Sequence, residues 1–425
     1  MANDATISDD FFLARQPILG RDQCLVAYEL LFRTAGACEA NVTDQASATA
    51  AVISHASQLG MEVVLGGRLA FLNVDEVVLM SDFVRFLPHD GVILEILETV
   101  KATPELIARV AELRDLGFKF ALDDVIADSE DVSKLFDLAE VIKIDLKGVE
   151  RAKLPALVRK FSGRKKKLLA EKVETVEEFE TCLGLGFDYF QGFYFARPTI
   201  MRGKKIAPTE LAILRLLDLI NSDADDSEIE MAVKRDASVG LNLLRLVNTP
   251  AAGSNAGHID SLGEAINKLG RDRLQRWLQI LLYSKPGGKV ELNSPLLQMA
   301  TTRGKLMELM AQHLHPGMRA HADTAFTVGI MSLMDALFSM SMEDVLETVE
   351  VPDEVRLALL ERGGELGEML RVVELLENPN EGPVLTKTLK KLGIGVRQVR
   401  EIELRAFEWV NELAHESELA KSEAA

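Results

Sequence analysis

The chain has 425 residues, of which 48% are hydrophobic and 27% are charged, a balance typical of a soluble protein with two or three domains. Its formal net charge of −18 argues against a general nucleic-acid-binding surface. No apolar run is long enough to span a bilayer, and the acidic start at residues 1–4 does not resemble a secretory signal. The three cysteines, Cys24, Cys38 and Cys182, have no CxxC spacing, which argues against a disulfide framework or a zinc site. We therefore expect a cytoplasmic protein with neither a membrane nor a nucleic-acid polymer as partner.

Strand-like and helical patterns alternate through the first half of the chain. The first two apolar runs, 11–18 and 25–32, are joined by a connection too short for a helical crossover, so they should pair antiparallel. The patterns that follow are helix 44–59, strand 69–73, helix 75–87, strand 92–97, helix 104–116, strand 118–123, helix 130–138, strand 141–145, helix 151–162, strand 167–171, helix 175–184 and strand 187–195. This alternation favours a (β/α)₈ barrel. A doubly wound open sheet is the alternative, but no GxGxxG motif follows an early strand.

Seven of these strands end in polar side chains. These are Glu29, Asn73, Glu95, Asp123 with Asp124, Lys143, Glu171 and Gln191. The carboxyl ends of parallel strands build the active site in α/β folds. Because the set is rich in oxygen and has no His or Cys, it suits Mg²⁺ or Mn²⁺ better than zinc. The adjacent carboxylates Asp123 and Asp124 repel each other unless solvent or a cation screens them, although one of them could simply cap the next helix.

The order and spacing of several motifs across residues 10–198 resemble the EAL domain. These motifs are Gln16-Pro17-Ile18, Glu29-Leu30-Leu31-Phe32-Arg33, Asn73, Glu95-Ile96-Leu97-Glu98, Asp123-Asp124, Lys143-Ile144-Asp145, Ala170-Glu171-Lys172-Val173-Glu174 and Gln191-Gly192-Phe193. The EAL family is a modified TIM barrel that hydrolyses the bacterial second messenger cyclic di-GMP to the linear dinucleotide pGpG. The resemblance therefore implies a metal-dependent phosphodiesterase, in which a metal-activated water attacks a phosphodiester in line.

The resemblance implies a two-metal site for Mg²⁺ or Mn²⁺. Its ligands would be Glu29, Asn73, Glu95, Asp123 and Asp124.

Other matching residues would act on the water and the substrate. Lys143 would hold or activate the attacking water, with Glu171, Gln191 and Asp124 completing the catalytic network. Arg33 and Gln16 would bind the substrate, since an arginine fork suits a phosphate, and Glu98 would brace the loop after Asp124. From the residues alone, Lys143 could instead be an ion-pair partner of Asp123, and Arg33 could be a surface residue.

Three positions depart from the family pattern. The signature Glu-Ala-Leu is Glu29-Leu30-Leu31, and the family's Asn-x-Ser is Asn73-Val74-Asp75. The loop after the paired aspartates normally reads Phe-Gly-Thr-Gly and helps to assemble the metal site and the dimer, but here residues 125–128 read Val-Ile-Ala-Asp. Without glycines the loop loses easy access to positive φ, which predicts slow, partner-dependent or absent turnover.

The second half has helical periodicity almost throughout. After a linker at 199–208 we predict an all-helical domain over 209–412 and an acidic tail at 413–425. The segments 234–248 and 259–270 resemble the HDOD domain, a relative of HD phosphohydrolases without their metal ligands. Where such a hydrolase would read His-Asp, this chain has Ser332-Leu333, so the resemblance implies a regulatory or interaction role. His313, His315 and His321 cluster without an adjoining HD pair, and we expect a helix end or solvated loop there and no metal site.

An EAL barrel followed by an HDOD domain resembles the YuxH-type bacterial signalling proteins. The expected fold is therefore α/β plus all-α. The implied partners are cyclic di-GMP, a protein bound through the HDOD domain, and a second copy of the chain. The leading hypothesis is a cyclic di-GMP phosphodiesterase tied to a non-catalytic helical domain. The alternative is a catalytically silent adaptor that binds cyclic di-GMP or a protein, and a general nuclease fits poorly with the net charge.

Overall fold

The computed structural model describes residues 11–34, 64–127, 129–162, 166–196, 208–222, 224–235, 239–240, 243–244, 247, 261–283, 294–349, 351–378 and 381–422. The predicted helix at 44–59 lies outside these residues. Contacts divide the chain into two units, one of residues 1–197 with 374–408 and the other of residues 198–373 with 409–425. Among the described residues, no single helix is long and apolar enough to cross a membrane, although the bent pair Arg319–Phe338 and Met342–Thr348 passes that test by length and composition together.

The first unit contains a closed eight-stranded barrel, which confirms the predicted barrel and excludes the open sheet. Its strands are β1 Phe11–Gly20, β2 Leu25–Thr34, β3 Leu69–Val74, β4 Val92–Ile96, β5 Lys119–Leu122, β6 Val141–Asp145, β7 Lys167–Glu171 and β8 Tyr189–Gln191. Strand β1 pairs antiparallel with both β2 and β8, whereas the other neighbouring pairs are parallel. The short first connection therefore produces the antiparallel pair that its length predicts.

Helices of the barrel begin and end close to the predicted positions. They are α1 Glu76–Met80, α2 Pro104–Asp115, α3 Glu130–Leu135, α4 Leu154–Ser162 and α5 Val176–Leu185, with 3₁₀ turns at Asp82–Phe86 and Phe136–Leu138. The predicted helix 75–87 breaks in two because Ser81 adopts an extended conformation with ψ 157°. Helix α5 begins with a capping box in which the Thr175 and Glu178 side chains each accept from the other's backbone N–H.

Three strands are shorter than predicted, and the first of them, β4, ends at Ile96, one residue before the predicted end. Strand β5 ends at Leu122, one residue before Asp123, and β8 covers only Tyr189–Gln191 of the predicted 187–195. Strand β8 stops because Gly192 turns the chain with φ 147°, a conformation that favours glycine. A Cβ at Gly192 would lie 2.0 Å from the carbonyl oxygen of Val173, so the backbone after β7 fills the space that a side chain would need.

Side chains inside the barrel form an apolar layer beneath a polar one. The apolar layer contains Ile18, Ala27, Phe71, Ile93, Ala121, Val141 and Leu169, with Tyr189 packed against it. Because side chains alternate along a strand, the residue two positions further toward the same barrel end also points inward. On strands β2–β8, which run in the same direction, the residue two positions after each apolar-layer residue is the polar residue at the strand end. Strand β1 runs the opposite way, so its residue in the polar layer is Gln16, two positions before Ile18.

The second unit is helical in the part that the structure describes. Its helices include α6 Pro208–Asn221, α7 Asp226–Arg235, α8 Leu262–Leu269, α9 Arg271–Leu282, α10 Pro295–Leu314, α11 Arg319–Met331, α12 Met334–Phe338, α13 Met342–Thr348, α14 Asp353–Glu361 and α15 Gly364–Glu377. Two further helices, α16 Gly382–Leu392 and α17 Val396–Ser422, complete the described chain. Residues 374–408 belong to the barrel unit, and they include the end of α15, all of α16 and the first part of α17.

A residue of helix α17 packs into the barrel core. Phe407 is 4% exposed, and its ring lies 3.9 Å from the guanidinium carbon of Arg15 on strand β1. The same guanidinium carbon lies 4.5 Å from the centre of the Tyr28 ring, and Arg15 Nη1 donates to the carbonyl oxygen of Val64 at 2.8 Å. The terminal helices therefore contribute to the stability of the barrel through a buried cation–π contact.

We expect Phe407→Ala to destabilise the barrel by about 3–5 kcal/mol, because it removes a buried ring and leaves Arg15 without its aromatic contact. Urea unfolding followed by far-UV circular dichroism measures the change. Glu408→Ala, at the exposed neighbouring position, is the matched control and should leave the midpoint nearly unchanged. Equal midpoints for Phe407→Ala and the wild type would contradict this packing.

Candidate active site

The ammonium group of Lys143 lies at the centre of the polar layer and contacts four carboxylates. Its Nζ is 2.8 Å from Glu95 Oε1, 2.8 Å from Asp123 Oδ1, 2.9 Å from Glu171 Oε1 and 3.3 Å from Glu29 Oε2. Lys143 is 1% exposed and Glu95 is completely buried, so water screens these charges little. The structure therefore brings together the predicted strand-end residues around one cation. The ion pair between Lys143 and Asp123 is present as part of a larger cluster.

Amide side chains hold the carboxylate of Glu29 from two sides. Gln191 Nε2 donates to Glu29 Oε2 at 2.6 Å and also contacts Gln16 Oε1 at 3.0 Å. Asn73 Nδ2 donates to Glu29 Oε1 at 3.0 Å. These bonds fix the orientation of Glu29, and they place Gln16 from the antiparallel strand in the same network.

The crowding of carboxylates shifts their protonation equilibria. Burial raises the pKa of Glu95 well above its usual value, with the nearby Glu29 adding to the effect, and burial likewise raises the pKa of Asp123. Burial raises the pKa of Glu171 to about 8 despite the adjacent Lys143. For Glu29, burial acts upward, but Lys143 and the two amides outweigh it, so its pKa is lowered.

The pKa of Lys143 moves in the opposite direction from that of most buried lysines. Burial alone would lower it, but Asp123, Glu171, Glu29 and Glu95 together hold it well above its usual value. Lys143 therefore remains a cation at neutral pH and can donate hydrogen bonds, but it cannot accept a proton.

The donor set fits hard divalent cations. Glu95 Oε2 and Glu171 Oε2 are buried oxygens without a hydrogen-bond partner among the described residues, an arrangement that is costly unless a cation or proton satisfies them. A second group of oxygens, from Glu98, Asp123 and Asp124, lies within 4.8 Å of one another at the rim. Both groups offer carboxylate oxygens, the ligands that Mg²⁺ and Mn²⁺ prefer.

The second of the paired aspartates adopts a positive φ, whereas the described residues 125–127 of the loop that follows do not. Asp124 has φ 44°, in the left-handed region that Asp tolerates better than most residues. The loop is tied down by a hydrogen bond from Val125 N to the carbonyl oxygen of Lys143 at 2.9 Å. Lys172 Nζ contacts Asp145 Oδ2 at 2.7 Å and Asp124 Oδ1 at 3.7 Å. Sequence reasoning assigned no role to Lys172 and Asp145, although both lie inside the motifs that carry the family resemblance.

The departure at Asp75 has a local explanation. Asp75 caps helix α1, where its Oδ1 accepts from the backbone N–H of Val78 at 2.8 Å. Ser and Asp are both favourable N-cap residues, so the exchange preserves the start of the helix. Of the other predicted residues, Arg33 lies in strand β2, but its side chain is outside the part of the structure that is described.

The position where HD hydrolases carry His-Asp is occupied by a buried arginine contact. Arg303 Nη1 donates to Ser332 Oγ at 3.0 Å, and the Ser332 hydroxyl donates to the carbonyl oxygen of Gly329 at 2.7 Å. Arg303 is 8% exposed and Leu333 is buried beside Ser332. A fixed guanidinium opposes the binding of a second cation, so this position offers no metal site.

The pKa of Glu171 predicts how the stability of the metal-free protein depends on pH. Because the folded-state pKa of about 8 exceeds the ordinary 4.5, the folded protein holds a proton in this window that the unfolded chain releases. The free energy of unfolding should therefore fall as pH rises through the window, by at most about 1.4 kcal/mol per pH unit. Urea midpoints measured with EDTA should therefore decline between pH 5 and 8 in the wild type. Glu171→Gln should remove the part of that decline that Glu171 causes. Glu76→Gln, on the exposed face of α1, should keep the wild-type slope, and an unchanged slope in Glu171→Gln would contradict the assignment.

Comparison with known proteins identifies both halves of the chain. Residues 70–198 match the EAL domain model, and residues 207–358 match the HDOD domain model. The chain is 30% identical over 407 residues to the cyclic di-GMP phosphodiesterase CdgJ of Vibrio cholerae, covering 95% of this chain and 93% of CdgJ. It is 30% identical over 412 residues to the uncharacterized protein YuxH of Bacillus subtilis, covering 95% of this chain and 98% of YuxH.

Among solved structures, an EAL domain protein from Listeria monocytogenes covers 46% of this chain and 90% of its own, with 23% identity and a TM-score of 0.36. The two family matches occur in the order that the motifs predict. The two full-length relatives extend the similarity over nearly the whole chain. The chain therefore belongs to the family of bacterial proteins that join an EAL domain to a C-terminal HDOD domain.

Proposed function

We propose that this protein is a metal-dependent phosphodiesterase that hydrolyses cyclic di-GMP to linear pGpG in the cytoplasm. The observation that carries the proposal is the buried ring of Glu29, Glu95, Asp123 and Glu171 around Lys143. It is supported by the relative of nearly equal length named cyclic di-GMP phosphodiesterase. The HDOD half acts as a regulatory or interaction domain, since Ser332-Leu333 stands where a hydrolase would carry His-Asp and Ser332 instead accepts a hydrogen bond from Arg303.

Divalent cations, Mg²⁺ or Mn²⁺, would be held by Glu29, Asn73, Glu95, Asp123 and Asp124 in a two-metal site. When bound, such ions activate a water and stabilise charge on a phosphodiester. The surplus of carboxylates over the single ammonium supports this assignment, because bound cations would replace the protons that the raised pKa values of Glu95 and Asp123 retain.

The protein's own side chains prepare the site for such a reaction. Lys143 keeps its proton, so it orients a water or stabilises a developing negative charge as a donor, and does not act as a base. Glu171 Oε2 makes no hydrogen bond in the described structure and is therefore available to accept one from a water. Gln191 and Asn73 fix the orientation of Glu29. Gln16 and Arg33 remain proposed substrate contacts.

We expect Glu29→Ala to abolish hydrolysis, because it removes a metal ligand and the acceptor of both amide hydrogen bonds. The assay incubates full-length protein with cyclic di-GMP and Mn²⁺ or Mg²⁺ and separates the products by chromatography. Linear pGpG should appear with wild-type protein and with the exposed-site control Glu76→Ala, and it should disappear with EDTA. Retained turnover in a folded Glu29→Ala protein would contradict the proposal.

One observation favours a second function, that of a catalytically silent adaptor. In the loop that departs from the family pattern, Ile126 packs so closely against Gly148 that a Cβ at Gly148 would lie 2.4 Å from Ile126 Cγ2. A bulky side chain thus stands against Gly148 in the loop that lacks the family's glycines, and this altered loop supports the adaptor as the second candidate. Saturable binding of cyclic di-GMP by wild-type protein without any pGpG would support the adaptor, whereas turnover would exclude it.

A further inference from the structure

Two histidines and a glutamate from three helix ends meet in the helical unit, away from the sites described above. His315 directly follows helix α10, His321 lies in the first turn of α11, and Glu365 lies in the first turn of α15. His315 Nε2 is 2.8 Å from Glu365 Oε2, and His321 Nε2 is 3.3 Å from the same oxygen. Each residue offers one ligand atom, and the three atoms lie within 4.8 Å of one another.

A second observation, the environment of the His321 Nε2 atom, also indicates that a ligand binds at this cluster. His321 Nε2 is buried and makes no hydrogen bond among the described residues, and its contact with Glu365 lacks hydrogen-bond geometry. A buried polar atom without a partner is costly. The two imidazole rings meet edge to face at 83° with centroids 5.1 Å apart, and both Nε2 atoms approach the same oxygen of Glu365. A metal ion among the three atoms would satisfy the orphaned nitrogen.

The backbone holds these ligands in place. His315 N donates to the carbonyl oxygen of Ala311 at 2.8 Å, and its own carbonyl oxygen accepts from Met318 N at 3.1 Å. Gly317 completes this turn with φ 89°, and Gly364, with φ 69°, starts helix α15 immediately before Glu365. The ligands therefore lie at helix ends and in a tight turn, which gives a metal site a largely preformed arrangement.

The chemistry of the ligands selects the ion. Two imidazoles and one carboxylate suit zinc, whereas Mg²⁺ and Mn²⁺ prefer oxygen-only sets such as that of the barrel. The His315 and Glu365 side chains are 36% and 41% exposed, so the cluster is open to solvent on one side and a water can complete the coordination. We propose that His315, His321 and Glu365 bind a zinc ion in the helical unit.

A zinc ion at this position would join the turn between α10 and α11 to the start of α15. Because it binds the folded state, it stabilises that state by mass action. Two of its ligands lie inside the HDOD match, which ends at residue 358, and Glu365 lies beyond it. The site includes neither Arg303 nor Ser332, which hydrogen-bond to each other.

The experiment uses full-length protein stripped of metal with EDTA, exchanged into buffer and supplied with excess Mg²⁺ to occupy oxygen-only sites. Zinc is titrated against a chromophoric chelator, and Co²⁺ is titrated while visible absorption is recorded. The variants are His315→Gln and His321→Gln, which keep a polar side chain of similar size. His313→Gln is the matched control, since His313 is exposed in the last turn of the same helix α10 and outside the cluster.

Wild-type and His313→Gln protein should bind one zinc with equal affinity and gain thermal stability on adding it. His315→Gln and His321→Gln should each lose at least about tenfold in affinity, equivalent to 1.4 kcal/mol, and the stability gain. The Co²⁺ complex should lack thiolate charge-transfer absorption, which excludes binding at a cysteine. If His321→Gln is misfolded by circular dichroism, Glu365→Gln on the surface of α15 decides in its place. Zinc binding that is absent in wild type, or equal in wild type and the ligand variants, overturns the proposal.

Discussion

The buried contact between the ammonium of Lys143 and four carboxylates governs the chemistry of the barrel. One ammonium cannot neutralise four ionised carboxylates in a site that water screens little. Burial, together with repulsion from neighbouring carboxylates, raises the pKa values of Glu95, Asp123 and Glu171, so protons supply part of the missing positive charge. The same excess of negative charge favours the binding of divalent cations. Repulsion between the carboxylates in the metal-free protein and the proposed metal affinity therefore have the same cause.

The barrel can hold this charged layer because an apolar layer lies directly beneath it. Alternation along each strand places Val141 two residues below Lys143 and Leu169 two residues below Glu171. The apolar layer supplies burial energy and excludes water from below, which strengthens every interaction in the charged layer above. The reversed first strand does not interrupt the pattern, since Gln16 enters the ring above Ile18 and contacts Gln191.

The two halves differ in the charge of their buried polar groups. The barrel keeps its carboxylates, whereas the HD position of the helical half has a buried guanidinium, Arg303, hydrogen-bonded to Ser332. A buried guanidinium repels a second cation, so Arg303 opposes the binding of a metal ion beside Ser332. The proposed zinc ligands lie elsewhere, at helix ends. We therefore propose a role in regulation or recognition for the helical half and assign the proposed reaction to the barrel.

The sequence by itself determined the barrel, its antiparallel first pair and the polar residues at the strand ends, because strand periodicity and connection length are local properties. It also identified the residues that the family resemblance implies. Only the tertiary structure decided that Lys143 contacts all four carboxylates at once, since that depends on closing the barrel through eight strands. Likewise, Phe407 meets Arg15, and Glu365 meets His315 and His321, through packing between segments 44 to 392 residues apart, for which no local pattern exists.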